Sequence, residues 1–235
     1  MSTPEELRII PVDSVGPISP GDDLARVLTS AVTLVDQDVL VVTQKVVSKA
    51  EGQLVAVDPT DPNSHKKIVE DESVRVLRRR GDLIISETNH GFVCANAGVD
   101  LSNVEAGYAA VLPVDSDRSA RRIRDVFRAE QGVEVGVIIS DTFGRPWRRG
   151  VTDIAIGSAG IGPILDLRGS TDTYGRELQV TEVAVVDEIA AAAELVMGKS
   201  AGVPAAVVRG IPGSWFTKGS VAADIIRKPS EDLFR

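Results

Sequence analysis

Seven short apolar runs, spread from one end of the chain to the other and each cut off by polar or turn-forming residues, constrain the fold more than any other feature. They are "LRIIPV" (7–12), "VLVVT" (39–43), "LIIS" (83–86), "GFVCA" (91–95), "VEVGVIIS" (133–140), "TDIAIG" (152–157) and "PAAVVRG" (204–210). Runs of this length and composition predict buried strands. The turn "TNHG" (88–91) joins two of them as a hairpin, with Gly91 free to take a positive φ. Helical periodicity fills four of the intervals. "GDDLARVLTSAV" (21–32) opens on an acidic cap after Pro20, and "EDESVRVLRRR" (70–80) follows later. "SARRIRDVFRAEQG" (119–132) ends at Gly132 as a C-cap should. "TEVAVVDEIAAAAELVMGKS" (181–200) has Thr181 as N-cap, Glu182 at the positive helix start and Gly198 as its stop. Strands and helices intersperse without a regular βα rhythm, so the predicted fold is an irregular α/β or α+β mixture and not a doubly wound sheet. "VDPTDPNSHKK" (57–67), with its two prolines, reads as a surface loop. With no repeat, low-complexity tract or linker in view, residues 1–235 are expected to form one domain, with room for two subdomains.

Composition removes several function classes. A net charge of −8 argues against a protein built for nucleic acid, because phosphate neutralisation needs clustered Lys and Arg. Aromatic residues are only 4%, which leaves Val, Ile, Ala and Leu to build the core. The single Cys94 excludes an internal disulfide framework and a multi-cysteine zinc site, and its apolar setting "GFVCANAG" predicts a buried, inert thiol. "MSTPEELRIIPV" at the start has neither the basic nor the apolar region of a signal peptide, and no stretch approaches ~18 uninterrupted apolar residues, so the expected location is cytoplasmic, away from membranes. No phosphate-binding G-x-x-x-x-G-K-[ST] or strand-linked G-x-G-x-x-G is present in usable context. His65 and His90 are the only histidines, and neither stands beside a nucleophile elbow that would suit a Ser-His-Asp triad.

The chemistry-bearing residues cluster where apolar runs end. "FVCANAGVDLSNVEAG" (92–107) leads from a strand to Asp100, Ser102 and Asn103. "GVIISDTFGRPWRRG" (136–150) leads to Asp141 and Thr142, with Arg145, Arg148 and Arg149 directly after. Asp, Ser, Thr and Asn are the usual helix N-caps, and for one isolated acid capping would be sufficient explanation. Two such strand ends, the second followed by arginines suited to an anionic substrate, point instead to a hard cation held by Asp100, Asp141 and Thr142, since Mg²⁺ and Mn²⁺ take one or two carboxylates with water and substrate phosphates. Arg145 joins the two acids as a catalytic candidate, and the Asn103 amide could reach a phosphate. In "VVTQKVVSKAEG" (41–52) a helix beginning after Thr43 puts Lys45 and Lys49 on one face, either as solvated charges or as phosphate contacts helped by Gln44 and backbone N–H groups. "DLRGSTDTYGRELQVTE" (166–182) is a turn-rich loop that either simply turns or covers the site with Arg176 pointing inward.

These motifs, together with "VTDIAIGSAGI", "DEIAAAAELVMG" and the closing "EDLFR", resemble the coenzyme F420-0:L-glutamate ligase family, and also the ligase half of the bifunctional actinobacterial enzyme of the same pathway. The resemblance runs in the family's order from about residue 8 onward. The sequence holds no counterpart of the bifunctional enzyme's nitroreductase-like domain, so a stand-alone ligase and a part of a longer protein both remain open. The resemblance implies a mixed α/β F420 glutamyl ligase-like fold in an intertwined homodimer, with the nucleotide near the subunit junction. It implies a GTP-dependent ligase using Mn²⁺ or Mg²⁺, two divalent ions with K⁺ as a further cation, that adds L-glutamate to the lactyl carboxylate of F420-0 or its dehydro form, with extension of the γ-glutamyl tail left open. Residue by residue, Asp100, Asp141 and Thr142 match the family's metal positions, while Gln44, Lys49, Asn103 and the turn Val15-Gly16-Pro17-Ile18 match its GTP contacts. Lys218, before Gly219 and Ser220, stands where archaeal members carry an acid, which bears on the second metal's ligands.

The chemistry of the residues agrees. A carboxylate is a poor electrophile, so amide formation requires activation, here as an acyl phosphate that an amine then displaces. Phosphoryl transfer needs positioning and charge neutralisation more than a protein nucleophile. The alternatives are a metal-dependent phosphohydrolase using the same Asp100 and Asp141, and a non-catalytic deazaflavin or nucleotide binder.

Overall fold

A computed structural model describes residues 6–232. The acidic start of the chain and the last three residues of the closing "EDLFR" motif lie outside the described residues. The first half of the chain forms β1 (Arg8–Val12), α1 (Leu24–Ala31), β2 (Val39–Thr43), α2 (Gln44–Ala50), β3 (Leu54–Ala56), α3 (His65–Asp71), β4 (Ser73–Arg80), β5 (Leu83–Thr88), β6 (Val93–Ala95) and β7 (Tyr108–Ala110). The second half forms α4 (Ser116–Gln131), β8 (Gly136–Arg145), β9 (Arg148–Ala159), β10 (Leu165–Asp166), β11 (Glu182–Val183), α5 (Val185–Met197), β12 (Ala205–Arg209) and α6 (Val221–Asp224). The fold is mixed α/β, with several small sheets around one larger one.

The larger sheet has the order β1-β12-β2-β8-β9. Only β2 and β8 run parallel; β1, β12 and β9 pair antiparallel with their neighbours. That single parallel pair accounts for the missing βα rhythm in the sequence. Val39 to Val42, Val137 to Ile139 and Ala205 to Val208 are buried, as contiguous apolar runs in the middle of a covered sheet should be. Helices α4 and α5 pack on this sheet, and α1 packs on α4. Gly157 sits where β9 meets the start of α4: a Cβ there would lie 2.3 Å from the Ser116 carbonyl carbon, so only glycine lets the two backbones approach. A buried Asp117 carboxylate then ties three elements together, accepting hydrogen bonds from the N–H groups of Ser158 (2.8 Å), Val221 (2.9 Å) and Ala222 (3.1 Å).

The chain between β2 and β8 builds a smaller region. There β3 pairs with β7, and β4-β5-β6 form a three-stranded sheet whose β5–β6 connection turns at Gly91 with φ +87°. Two small apolar clusters, one of Ile68, Ala109 and Val111 and one of Val69, Ile84 and Ala97, hold it.

Three local expectations are corrected. Residues 73–80 are the strand β4 and not a helix: "SVRVLRRR" alternates at its start, pairs with β5 despite two register shifts, and is anchored across the strands by an Arg75–Glu87 ion pair of 3.2 Å. The helix that its acidic beginning suggested is α3, which starts at His65 inside the predicted loop and stops at Asp71. Thr181 caps nothing, because Glu182 and Val183 pair with β10 and α5 begins at Val185; Asp187 and Glu188 supply the negative charge of its first turn. Among the described residues no helix is long and apolar enough to cross a membrane.

Candidate functional site

The carboxyl ends of the parallel pair β2 and β8 are where an α/β sheet leaves room for a ligand, and here they open onto a cavity of about 420 Å³. Thr43 and Ser140 are register partners, so the residues that follow each, Gln44 and Asp141, stand side by side on its wall. The turn Val15-Gly16-Pro17-Ile18 forms another wall, and Lys49, Asn103 and Thr142 complete the set of predicted residues that the fold brings together. Asp100 lies next to it, its Oδ2 2.7 Å from Nζ of the wall residue Lys45.

Neither acid is a helix cap. Strand β8 does not end before Asp141 but continues to Arg145, because β9 pairs with it over its whole outer length. Asp141 therefore sits inside a strand, its Oδ1 accepting the Thr142 N–H at 2.8 Å. Asp100 exchanges backbone hydrogen bonds with Ala110 and accepts the Ser102 N–H on Oδ1 at 2.7 Å. The backbone leading to Asp100 is strained: Asn96, Ala97 and Gly98 follow one another with φ of 50°, 51° and 73°.

The fold adds residues that the sequence did not single out. Asp153 on β9 faces Thr142 and accepts its hydroxyl at 2.6 Å, along with that of Ser140 at 3.0 Å. Glu194 near the end of α5 and Lys199 and Ser200 just after it form the remaining wall, where the Asn103 amide donates to the Lys199 carbonyl at 3.2 Å. Asp153 carried one signal, an acid within an otherwise apolar strand; Glu194 and the 198–204 loop carried none, since their approach depends on how β12 returns beside β2.

Burial is the largest influence on the carboxyl groups around the cavity. Burial pushes the Asp141 carboxyl up to about 7, with the charges of Asp100 and Asp153 adding to it against the Thr142 N–H and Lys45. Burial also opposes ionisation of Asp100, but hydrogen bonds from Lys45 and Ser102 leave that carboxyl below its usual value. Glu194 is raised by burial and by Asp153. Among the described residues no three His, Cys, Asp or Glu side chains stand close enough together to cage a metal by themselves. Two carboxylates, Asp100 and Asp141, with the Thr142 hydroxyl are hard oxygen donors of the kind a divalent ion takes when water and substrate phosphates complete its shell. Gln44 is buried and donates its amide N–H to Ser48 Oγ (2.6 Å) and Val111 O (3.0 Å), while its own oxygen has no partner among the described residues.

Other predicted participants lie elsewhere. Arg145 is at the exposed tip of the β8–β9 hairpin and donates to the Arg149 carbonyl at 3.2 Å. Arg176 is exposed in the turn between β10 and β11, not on the cavity wall. Lys218 lines a different cavity, about 650 Å³, at the amino ends of β2 and β8 with Arg121 and Arg124, so within one chain it does not bear on the Asp141 ligand set. His90 donates to the Pro113 carbonyl at 2.9 Å and stacks on Phe92, which leaves no triad to build. Cys94 is buried and its thiol is pushed up to about 12, by burial first and then by the Asp141 charge.

A profile of the family described as F420-0:Gamma-glutamyl ligase matches residues 14–210. The chain is 45% identical to the coenzyme F420:L-glutamate ligase of Methanopyrus kandleri, over 97% of this chain and 98% of that protein. It is 41% identical to the enzyme of that name from Methanothermobacter thermautotrophicus over 97% and 99%, and 40% identical to that of Methanococcus maripaludis over 88% and 89%.

Proposed function

This chain belongs to the F420-0:gamma-glutamyl ligase family, and from that premise we propose that it is a GTP-dependent ligase joining L-glutamate to the lactyl carboxylate of F420-0 or its dehydro form. The observation that carries the reading is the convergence of residues from distant parts of the sequence on one cavity: Val15 to Ile18, Gln44, Lys49 and Asn103 beside Asp141 and Thr142. Nearly full-length identity to named ligases supplies the reaction class.

In this reading GTP lies along the wall of Val15 to Ile18, Gln44, Lys49 and Asn103. The ammonium of Lys49 neutralises phosphate charge, and the unpartnered Gln44 oxygen offers an acceptor to a donor group on the nucleotide. Asp100, Asp141 and Thr142, with Asp153 behind the hydroxyl, would hold Mn²⁺ or Mg²⁺, which when bound neutralises developing charge on the transferred phosphoryl group. An oxygen of the acceptor carboxylate attacks the γ-phosphorus and GDP leaves with the electron pair of the broken P–O bond. The glutamate nitrogen then attacks the acyl carbon, phosphate departs and the amine loses a proton. Walls on three sides hold the reacting groups in line and limit water, the competing nucleophile. The arginines around Arg145 face the anionic acceptor.

The same reading includes a two-fold homodimer in the cytoplasm. Exposed apolar residues on the small sheet, among them Val74 at 65%, Leu83 at 44% and Val93 at 46%, support a contact there with a second copy. Light scattering at micromolar concentration should give twice the chain mass.

Incubation of the protein with GTP, Mn²⁺, F420-0 and L-glutamate tests the reaction. The expected products are GDP, phosphate and an acceptor heavier by one glutamyl residue, with GTP consumption dependent on both other substrates. GTP consumed at full rate without glutamate would make the protein a phosphohydrolase and end this reading.

A further inference from the structure

Most of the charged side chains on the cavity wall already have a partner or a task. Lys45 pairs with Asp100 at 2.7 Å, and Asp153 accepts the hydroxyls of Ser140 and Thr142. The ligase reading engages Lys49 and Asp141. Two opposite charges remain, Glu194 in the last turn of α5 and Lys199 just beyond the helix. Among the described residues neither the Glu194 carboxylate nor the Lys199 ammonium makes a hydrogen bond or an ion pair. Glu194 is half-buried, so its carboxylate is partly withdrawn from water with no partner to offset the loss. The charges of Asp153, Lys199 and Lys45 all reach it. Nor does α5 carry a basic side chain in its last turn to balance the partial negative charge of a helix C-terminus. Gly198, with φ +56° and ψ 140°, then turns the chain in a conformation that a side chain would strain, and Lys199 and Ser200 follow on the same wall. The Asn103 amide fixes the Lys199 carbonyl at 3.2 Å, which holds this loop beside the wall proposed for the nucleotide.

From these two unpartnered charges we infer that the end of α5 is the seat of the amino acid substrate: Glu194 holds the ammonium group of L-glutamate, and Lys199 holds a carboxylate of the same molecule. This rests on the ligase reading and assigns residues to the one substrate which that reading leaves without any. The signs of the substrates decide the placement. GTP and the acceptor both arrive as anions, and an unpaired acid where they meet repels them. L-glutamate alone brings a positive group, and the proposed cation already has Asp100, Asp141 and Thr142. An ammonium at the end of α5 meets a carboxylate and the negative end of a helix, a combination that favours it over any anion. A free amino acid carries both signs within one small molecule, so Glu194 and Lys199, on one wall, suffice to orient it. The amine so held shares the cavity with Asp141 and Thr142, where the acyl phosphate would form.

The test measures equilibrium binding of L-glutamate by calorimetry, on the protein with Mn²⁺, F420-0 and a non-hydrolysable GTP analogue, followed by steady-state kinetics. Glutarate, which keeps both carboxylates but lacks the amine, is the control ligand. The wild type should bind L-glutamate about tenfold or more tighter than glutarate. Glu194→Gln keeps the size of the side chain and removes a half-buried charge, so its thermal midpoint should be unchanged or higher. In that variant L-glutamate should bind about tenfold more weakly, with its KM raised to match, while glutarate binds as well as before or better. KM for GTP and the Mn²⁺ requirement should not move. Lys199→Ala, at an exposed position, should weaken L-glutamate and glutarate alike by about fivefold. Wild-type affinity for L-glutamate in Glu194→Gln would overturn the inference. So would an altered Mn²⁺ requirement with glutamate binding unchanged, which would place Glu194 with the cation, and so would a raised KM for GTP alone in Lys199→Ala. If the wild type ligates glutamate and both variants do so equally well, the inference alone falls; if the wild type ligates none, the ligase reading falls first and takes the inference with it.

Discussion

From Gly136 to Ser140 strand β8 is completely enclosed, paired on both edges and covered by apolar side chains. From Gly144 onward the same strand, with the first residues of β9, has no neighbour but its own partner strand and stands in solvent. The inner half is Val, Ile, Gly, Ala and Ser; the outer half is Arg, Gly, Pro and Trp. Asp141 and Thr142 occupy the seam between them. In the proposed reading one hairpin divides its labour along its length: packing at one end, recognition at the other, and the oxygens that would hold the cation where the two meet. The comparison teaches that burial and function need not compete for the same residues when a strand is long enough to leave its sheet.

The largest expected effect tests the inner half. Ile138 is completely buried, so Ile138→Ala should cost about 2–5 kcal/mol of stability, read as a lower denaturation midpoint at unchanged slope. Its specific activity at low temperature should change only with the folded fraction. At the seam the outcome should reverse. Asp141→Asn keeps the shape of the side chain but removes a charge the proposed cation would require, so ligase activity should fall at least about a hundredfold, ~2.7 kcal/mol, with the thermal midpoint nearly preserved. Near wild-type turnover at limiting Mn²⁺ would remove Asp141 from the cation site.

On the wall proposed for the nucleotide, Lys49→Ala should weaken GTP binding by about 1.5–3 kcal/mol and disturb folding less, as expected for one charge-assisted hydrogen bond; an unchanged GTP affinity would return Lys49 to the solvent. The smallest effect should appear at the outer half. Arg148→Gln alone should leave stability within about 0.5 kcal/mol of wild type, because its charge faces water and pairs with no acid among the described residues. A large destabilisation there would break the division of labour described above.

The sequence was most legible where a residue's environment is uniform. The cores of β2, β8 and β12 are enclosed on all sides, so their apolar runs announce them. β4 is exposed along nearly all its length, and with no buried face to impose a period its arginines read as readily as helix as strand. The site divides in the same way. Asp100, Asp141 and Thr142 stood out because each follows an apolar run, and the resemblance to a known family brought in the turn at Val15 to Ile18. Asp153 was marked only by being an acid among apolar neighbours and Glu194 by nothing, since they reach the cavity through the antiparallel pairing of β9 and through α5, relations that local spacing does not record. The strand character of Asp141 was also hidden, because only the presence of β9 decides that the backbone continues past it.

The parallel pairing of β2 with β8 has a consequence for the order in which the molecule assembles. Between Thr43 and the start of β8 at Gly136 the chain makes a long excursion through the whole smaller region before it returns. Closing a flexible segment of that length costs about 4 kcal/mol in chain entropy, and pairings so remote in sequence form slowly. The hairpin β8–β9 and the β4–β6 sheet are local by comparison and have no such barrier. Gln44 and Asp141 become neighbours only when the remote strands meet, so a chain arrested short of that step already has much of its core and its exposed tip but lacks the cavity proposed for the nucleotide. GTP should therefore bind only the fully closed form and draw the last folding step forward, and backbone amides at the ends of β2 and β8 should exchange with solvent only through opening of the whole domain.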